Sequence, residues 1–155
     1  MAPLIFLLAG TAAALAAGGA GVRALRPWPA AVRCGLALMF TVTGLAHFVG
    51  MREELVAMVP PALPAPELLV TATGGLELIG AVALLWPRTA PWSAAGLAVM
   101  LVVMFPANVH RAVTEPGLPW DDRLVPRTLL QAVFLAAALS VVVHRVRTRR
   151  AVPQE

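Results

Sequence analysis

Two ionisable side chains stand inside long hydrophobic runs: His47 in Thr43-Gly-Leu-Ala-His47-Phe48, and Glu77 in Gly74-Gly-Leu-Glu77. An ionisable group at membrane depth is costly, so each marks a candidate site by default. Three more polar residues join them, Asn108 after Phe105-Pro106, and Arg127 and Gln131 one helical turn apart on one face. A histidine and a carboxylate can hold or pass a proton, while an arginine, an asparagine and a glutamine can orient a carbonyl oxygen. Each also has a structural reading. His47 can serve as a hydrogen-bonding group at a helix end, and Glu77 as the buried partner of Arg127. Asn108 and Gln131 can act as interhelical hydrogen-bonding groups.

The composition shows what must position these groups. The chain has 155 residues, of which 59% are hydrophobic and 13% charged, with a mean hydropathy of +0.81. Soluble domains carry roughly a quarter charged residues, about twice this share. The apolar residues fall in blocks of about twenty, the length that crosses a bilayer as a helix. The sequence therefore predicts an all-α, polytopic transmembrane bundle. Its five spans cover about residues 3–22, 32–50, 67–86, 91–107 and 124–144. Residues 1–31 form an N-terminal span and linker, 32–144 a four-helix core, and 145–155 a basic tail. The first run could be a cleaved signal peptide, but it has no basic leading region, and an uncleaved span is the expectation.

Orientation follows from the arginines, since the chain has no lysine. Alternating spans put the 23–33 loop, the 87–90 turn and the tail on one side, with eight of the twelve arginines. The other side carries Arg52, Arg111, Arg123 and Arg127 among Glu53, Glu54, Glu67, Glu115, Asp121 and Asp122. The positive-inside rule then predicts an outer N-terminus and an inner C-terminus in a cell (plasma or inner) membrane. On that topology His47 lies near the outer end of its span and Glu77 about ten residues, roughly 15 Å, below the outer start of the next. Asn108, Arg127 and Gln131 also fall in the outer half. Connector 51–66 is too short and too proline-rich to span. Leu55, Met58 and Val59 oppose Arg52, Glu53 and Glu54, the pattern of a short interfacial helix. Arg111 and Arg123 read as solvated loop charges. Trp86, Trp92 and Trp120 suit interfacial anchors.

Several classes are excluded. A single cysteine, Cys34, cannot form an internal disulfide or a Cys-x-x-Cys pair. The net charge of +4 sits between and after the apolar blocks, which argues against nucleic acid as a partner. Phosphate-binding glycine loops, zinc-ligand spacings and a Ser-His-Asp arrangement have no candidate. His47 and His110 are the only outer-side pair for haem, but His110 is expected beyond a helix end, and no metal site is predicted. A transporter would call for an inverted repeat, and none is visible.

Taken together, Gly44-Leu-Ala-His47-Phe48, the connector through Met58-Val59-Pro60 and Leu63-Pro64, Gly75-Leu-Glu77, Phe105-Pro-Ala-Asn108 and Arg127-x-x-x-Gln131 resemble the small DoxX-like membrane proteins. The resemblance covers about residues 33–143. It implies a four-helix membrane core to which the 3–22 span is additional. Some relatives are linked to quinone-coupled sulfur oxidation or to redox-stress complexes. Leu129 stands where the resemblance leads one to expect proline, which implies a straighter last helix. The expected ligand is a quinone or similar amphiphile supplied by the membrane. The expected partners are the lipid bilayer and a membrane or redox partner protein, because the chain has no flavin or nicotinamide fingerprint of its own. The alternative is a non-catalytic scaffold or assembly subunit whose polar cluster is structural. No reaction is specified by these residues.

Overall fold

The computed structural model describes the backbone of residues 1–150 and the side chains of residues 1–147. Six helices follow in order: α1 (Ala2–Gly19), α2 (Trp28–Ala46), α3 (Arg52–Met58), α4 (Pro66–Leu84), α5 (Ala90–Thr114) and α6 (Leu124–Arg150). No strand occurs among the described residues. All but α3 are long and apolar enough to cross a membrane, as the hydropathy predicts. This is the architecture of a multi-pass membrane protein. The seven-residue α3 lies in the connector where a short helix is expected.

The proline positions account for most helix starts. Pro3, Pro29, Pro66 and Pro91 all fall in the first two positions of their helices. There the missing N–H has no intrahelical partner to lose, and the fixed φ is already helical. For this reason α2 begins at Trp28, four residues before the apolar run, and Pro27 and Pro29 initiate it rather than break the chain. Ala65, between Pro64 and Pro66, takes a left-handed φ of 51° to turn the connector into α4.

Two further boundaries differ from expectation. α5 does not end at residue 107 but runs through Pro106 to Thr114. A proline removes one helical hydrogen bond and pushes on the preceding turn, and a transmembrane helix tolerates this when its neighbours hold it. Asn108, His110 and Arg111 are therefore helical residues, not loop residues. α6 likewise continues past residue 144 to Arg150, so Arg145 and Arg147 extend a helix. The remainder of the expected basic tail, residues 151–155 and the side chains of residues 148–150, lies outside the described residues.

α2 is the central helix, with α1, α4 and α6 all against it. α5 closes the bundle between α4 and α6, and α3 sits over α4 and α5 at one end. The core joins Leu36, Met39 and Phe40 of α2 to Leu84 of α4, Leu97 of α5 and Phe134 of α6. Close approach rests on glycine. A Cβ on Gly35 would lie 2.4 Å from the Leu7 carbonyl oxygen of α1 and 2.1 Å from the Thr11 hydroxyl. Without a side chain there, α1 and α2 pack backbone to backbone, as small residues permit in membranes.

Gly35→Ala must therefore push α1 off α2, and a loss of about 1–3 kcal/mol is expected. Thermal unfolding in detergent, followed by helical circular dichroism, measures it. Gly75→Ala is the control, because a Cβ there meets nothing within 4 Å.

Candidate functional site

The polar residues gather at the end of the bundle where α2 and α5 finish and α4 and α6 begin. Two separate networks form there. The first joins α2 to α4. The Thr43 hydroxyl donates to Glu77 Oε2 at 2.6 Å, and the His47 ring nitrogen Nδ1 lies 2.8 Å from the Thr43 carbonyl. A carbonyl only accepts, so Nδ1 carries the proton and a neutral ring leaves Nε2 as an acceptor. Both His47 and Glu77 are buried, each 4% exposed. His47 fits only because position 74 is glycine: a Cβ there would lie 2.5 Å from the histidine Cβ. Arg52 of α3 ties the junction by donating to the His47 carbonyl at 3.3 Å and to the Thr71 hydroxyl at 3.1 Å.

The second network joins α5 to α6. Arg127 donates through Nη1 to Asn108 Oδ1 at 2.7 Å and through Nη2 to Asp122 Oδ1 at 2.6 Å. Gln131 Nε2 donates to the Leu101 carbonyl of α5 at 2.5 Å. Arg111 faces three carboxylates: Glu115 at 3.1 Å, Glu54 of α3 at 3.6 Å and Asp122 at 3.9 Å. Asp121 bonds the Met1 amine, and this hydrogen bond holds its carboxyl below the usual range.

Between the two networks lies a cavity of about 390 Å³. Val42, Leu55, Met58, Leu130 and Phe134 form its apolar walls, while His47, Asn108, Arg127 and Gln131 supply polar groups. A few convergent polar groups on apolar walls, in a volume of roughly 300–1,000 Å³, describe a typical small-molecule site. Four of the five residues singled out by the sequence thus line one cavity. Glu77 does not; it stands behind Thr43, which does. A larger hollow of about 480 Å³ along Leu78, Ile79, Val82 and Trp86 has almost wholly apolar walls, as a lipid-facing flank requires.

Other expectations change. Glu77 is not the partner of Arg127, because Thr43 lies across from it on the adjacent α2 while Arg127 turns to Asn108 and Asp122. Arg111 is no solvated loop charge: its side chain is 13% exposed and holds α3 to α5. The signal for it was the Arg111–Glu115 spacing of four, which means a salt bridge once α5 continues past Pro106. Arg123 is exposed, as a loop charge would be. His110 is helical but does not line the cavity with His47. Among the described residues no group of three or more His, Cys, Asp or Glu is placed to hold a metal.

Residues 36–149 match the family described as "Domain of unknown function (DUF8561)". The chain belongs to the DUF8561 family. The match runs from near the middle of α2 to the last but one residue of α6, and it contains every residue of both networks except Met1. In this DUF8561 chain α1 lies outside the matched region. No curated protein and no solved structure matches the chain.

Thr43→Val removes the hydroxyl that serves the buried Glu77, and a loss of about 1–3 kcal/mol is expected for the carboxylate left without it. Thr41→Val is the matched control, since the Thr41 hydroxyl bonds only its own helix at Ala37. Denaturation of both variants in one detergent should separate them clearly.

Proposed function

We propose that this DUF8561 protein is a DoxX-like, redox-associated subunit that binds a quinone or similar amphiphile in the 390 Å³ cavity. The observation that carries the reading is the complementarity of free donors and acceptors around that cavity. With its oxygen taken by Arg127, Asn108 keeps its amide N–H groups for a ligand carbonyl. With Nδ1 committed to Thr43, His47 keeps Nε2 to accept from a ligand hydroxyl. A quinone offers carbonyl oxygens and its reduced form offers hydroxyls, so one site serves both. Glu77 adjoins the cavity through Thr43 and would serve as a proton-holding group behind it. Electrons would come from a partner protein.

The same reading includes the finer topology. The His47 end, with Glu53, Glu54, Glu115, Asp121 and Asp122, faces outward, and the end with Arg23, Arg26, Arg88, Arg145 and Arg147 faces the cytoplasm of a cell membrane. α1 is then an added span on a four-helix DoxX-like core.

One observation favours a second reading, a non-catalytic scaffold. Arg127, Gln131 and Glu77 each already have a partner within the chain. A cluster so satisfied can be wholly structural.

Native mass spectrometry of the gently extracted protein, with quinone analysis of its lipid extract, tests the proposal. About one quinone per chain is expected, reduced tenfold or more by Asn108→Leu and by His47→Ala, a loss of about 1.4 kcal/mol or more. Recovery of a protein partner with no quinone, or quinone unchanged in both variants, would support the scaffold instead.

A further inference from the structure

At the opposite end of the bundle a second cavity of about 280 Å³ opens between the start of α2, the α4–α5 turn and the end of α6. Arg33 and Arg145 line it, with His144 beside them, and no carboxylate lines it among the described residues. Arg33 spends one donor on the Leu85 carbonyl at 3.2 Å. Its Nε–H is buried and has no acceptor among the described residues. A buried donor on a charged group calls for an acceptor, because leaving it unmade costs the full desolvation of that N–H.

The surroundings indicate where such an acceptor would come from. Trp28, Trp86 and Trp92 are exposed at this end, the placement of side chains at a membrane–water interface. The Trp28 ring stands edge-on to His144, which lines the same cavity, with centroids 6.2 Å apart. That depth is where lipid phosphates lie. Two guanidinium groups converging on one oxyanion are the usual way a protein holds phosphate, through short charge-assisted hydrogen bonds. Basic pockets between membrane helices hold lipid headgroups in this way.

We propose that this cavity binds a phosphate group, with the Arg33 Nε–H and the Arg145 guanidinium as its donors. The phosphate belongs to an anionic lipid headgroup or is free in solution, and the chemistry is the same for both. The site is independent of the His47 cavity and of any quinone there.

The test uses the full chain in a non-ionic detergent. Native mass spectrometry compares retention of phosphatidylglycerol with that of phosphatidylcholine, and thermal unfolding is followed with and without inorganic phosphate. A lipid source predicts about tenfold preferential retention of phosphatidylglycerol, the effect expected of one net hydrogen bond to a charged group. A free-phosphate source predicts a raised unfolding temperature with inorganic phosphate and no lipid preference. Either effect should disappear in Arg33→Gln and in Arg145→Gln, and persist in Arg147→Gln, which lies outside the cavity. Arg33 also holds Leu85, so Arg145→Gln decides the matter if Arg33→Gln does not fold. Absence of both a lipid preference and a phosphate shift in the unaltered chain would overturn the proposal. So would an equal loss in Arg147→Gln, which would mark the effect as general surface charge.

Discussion

A carboxyl group placed between membrane helices, as Glu77 is, has to find its hydrogen bonds inside the bundle, because lipid offers none. Most of the geometry around the His47 end follows from that requirement. Thr43 must face α4 to donate to Glu77, and this fixes the rotation of α2. One turn later the same face of α2 presents His47, and Gly74 removes the side chain that would block it. The contact between α2 and α4 is therefore set by a hydrogen bond and a missing Cβ, with the aliphatic core filling around it. Hydrophobicity alone could not choose this register, since lipid tails and leucine are equally apolar.

The second network solves the same problem for cations. Asp122 stands between Arg111 and Arg127 and bridges α5 to α6 near the surface. Glu54 of α3 reaches Arg111 from the connector. The two networks do not merge. The gap between them, walled by apolar residues from α2, α3 and α6, is the cavity itself. Its existence depends on Glu77 and Arg127 being satisfied separately, because a direct pair between them would draw α4 toward α6 and fill the space.

The spans were legible in the sequence because bilayer thickness imposes a length and an apolar composition that few other structures share. The convergence of His47, Asn108, Arg127 and Gln131 was also legible, since alternating helices carry their ends to predictable sides. What could not be read was pairing across helices. Thr43 scores as nearly neutral in hydropathy, so its role with Glu77 depends on a rotation visible only in three dimensions. Pro106 looked like a stop because proline usually ends a soluble helix; in the bundle α5 passes through it. That one difference moved Arg111 from a loop to a helix and hid its carboxylates. At the other end, Arg33 sits within an apolar run and gave no sign of the cavity it shares with Arg145.

The central claim is that the His47 end holds a polar cavity reachable from one side of the membrane, bounded by α2, α5 and α6. Side-specific labelling of a single introduced thiol tests it most directly. In a Cys34→Ala background, Asn108→Cys in sealed membrane vesicles should react with a small, charged, membrane-impermeant thiosulfonate. It should do so only from the outer face. Val103→Cys, on the exposed flank of the same helix, should stay unlabelled from both faces. Labelling of Asn108→Cys from the arginine-rich side, or from neither side, would contradict the account.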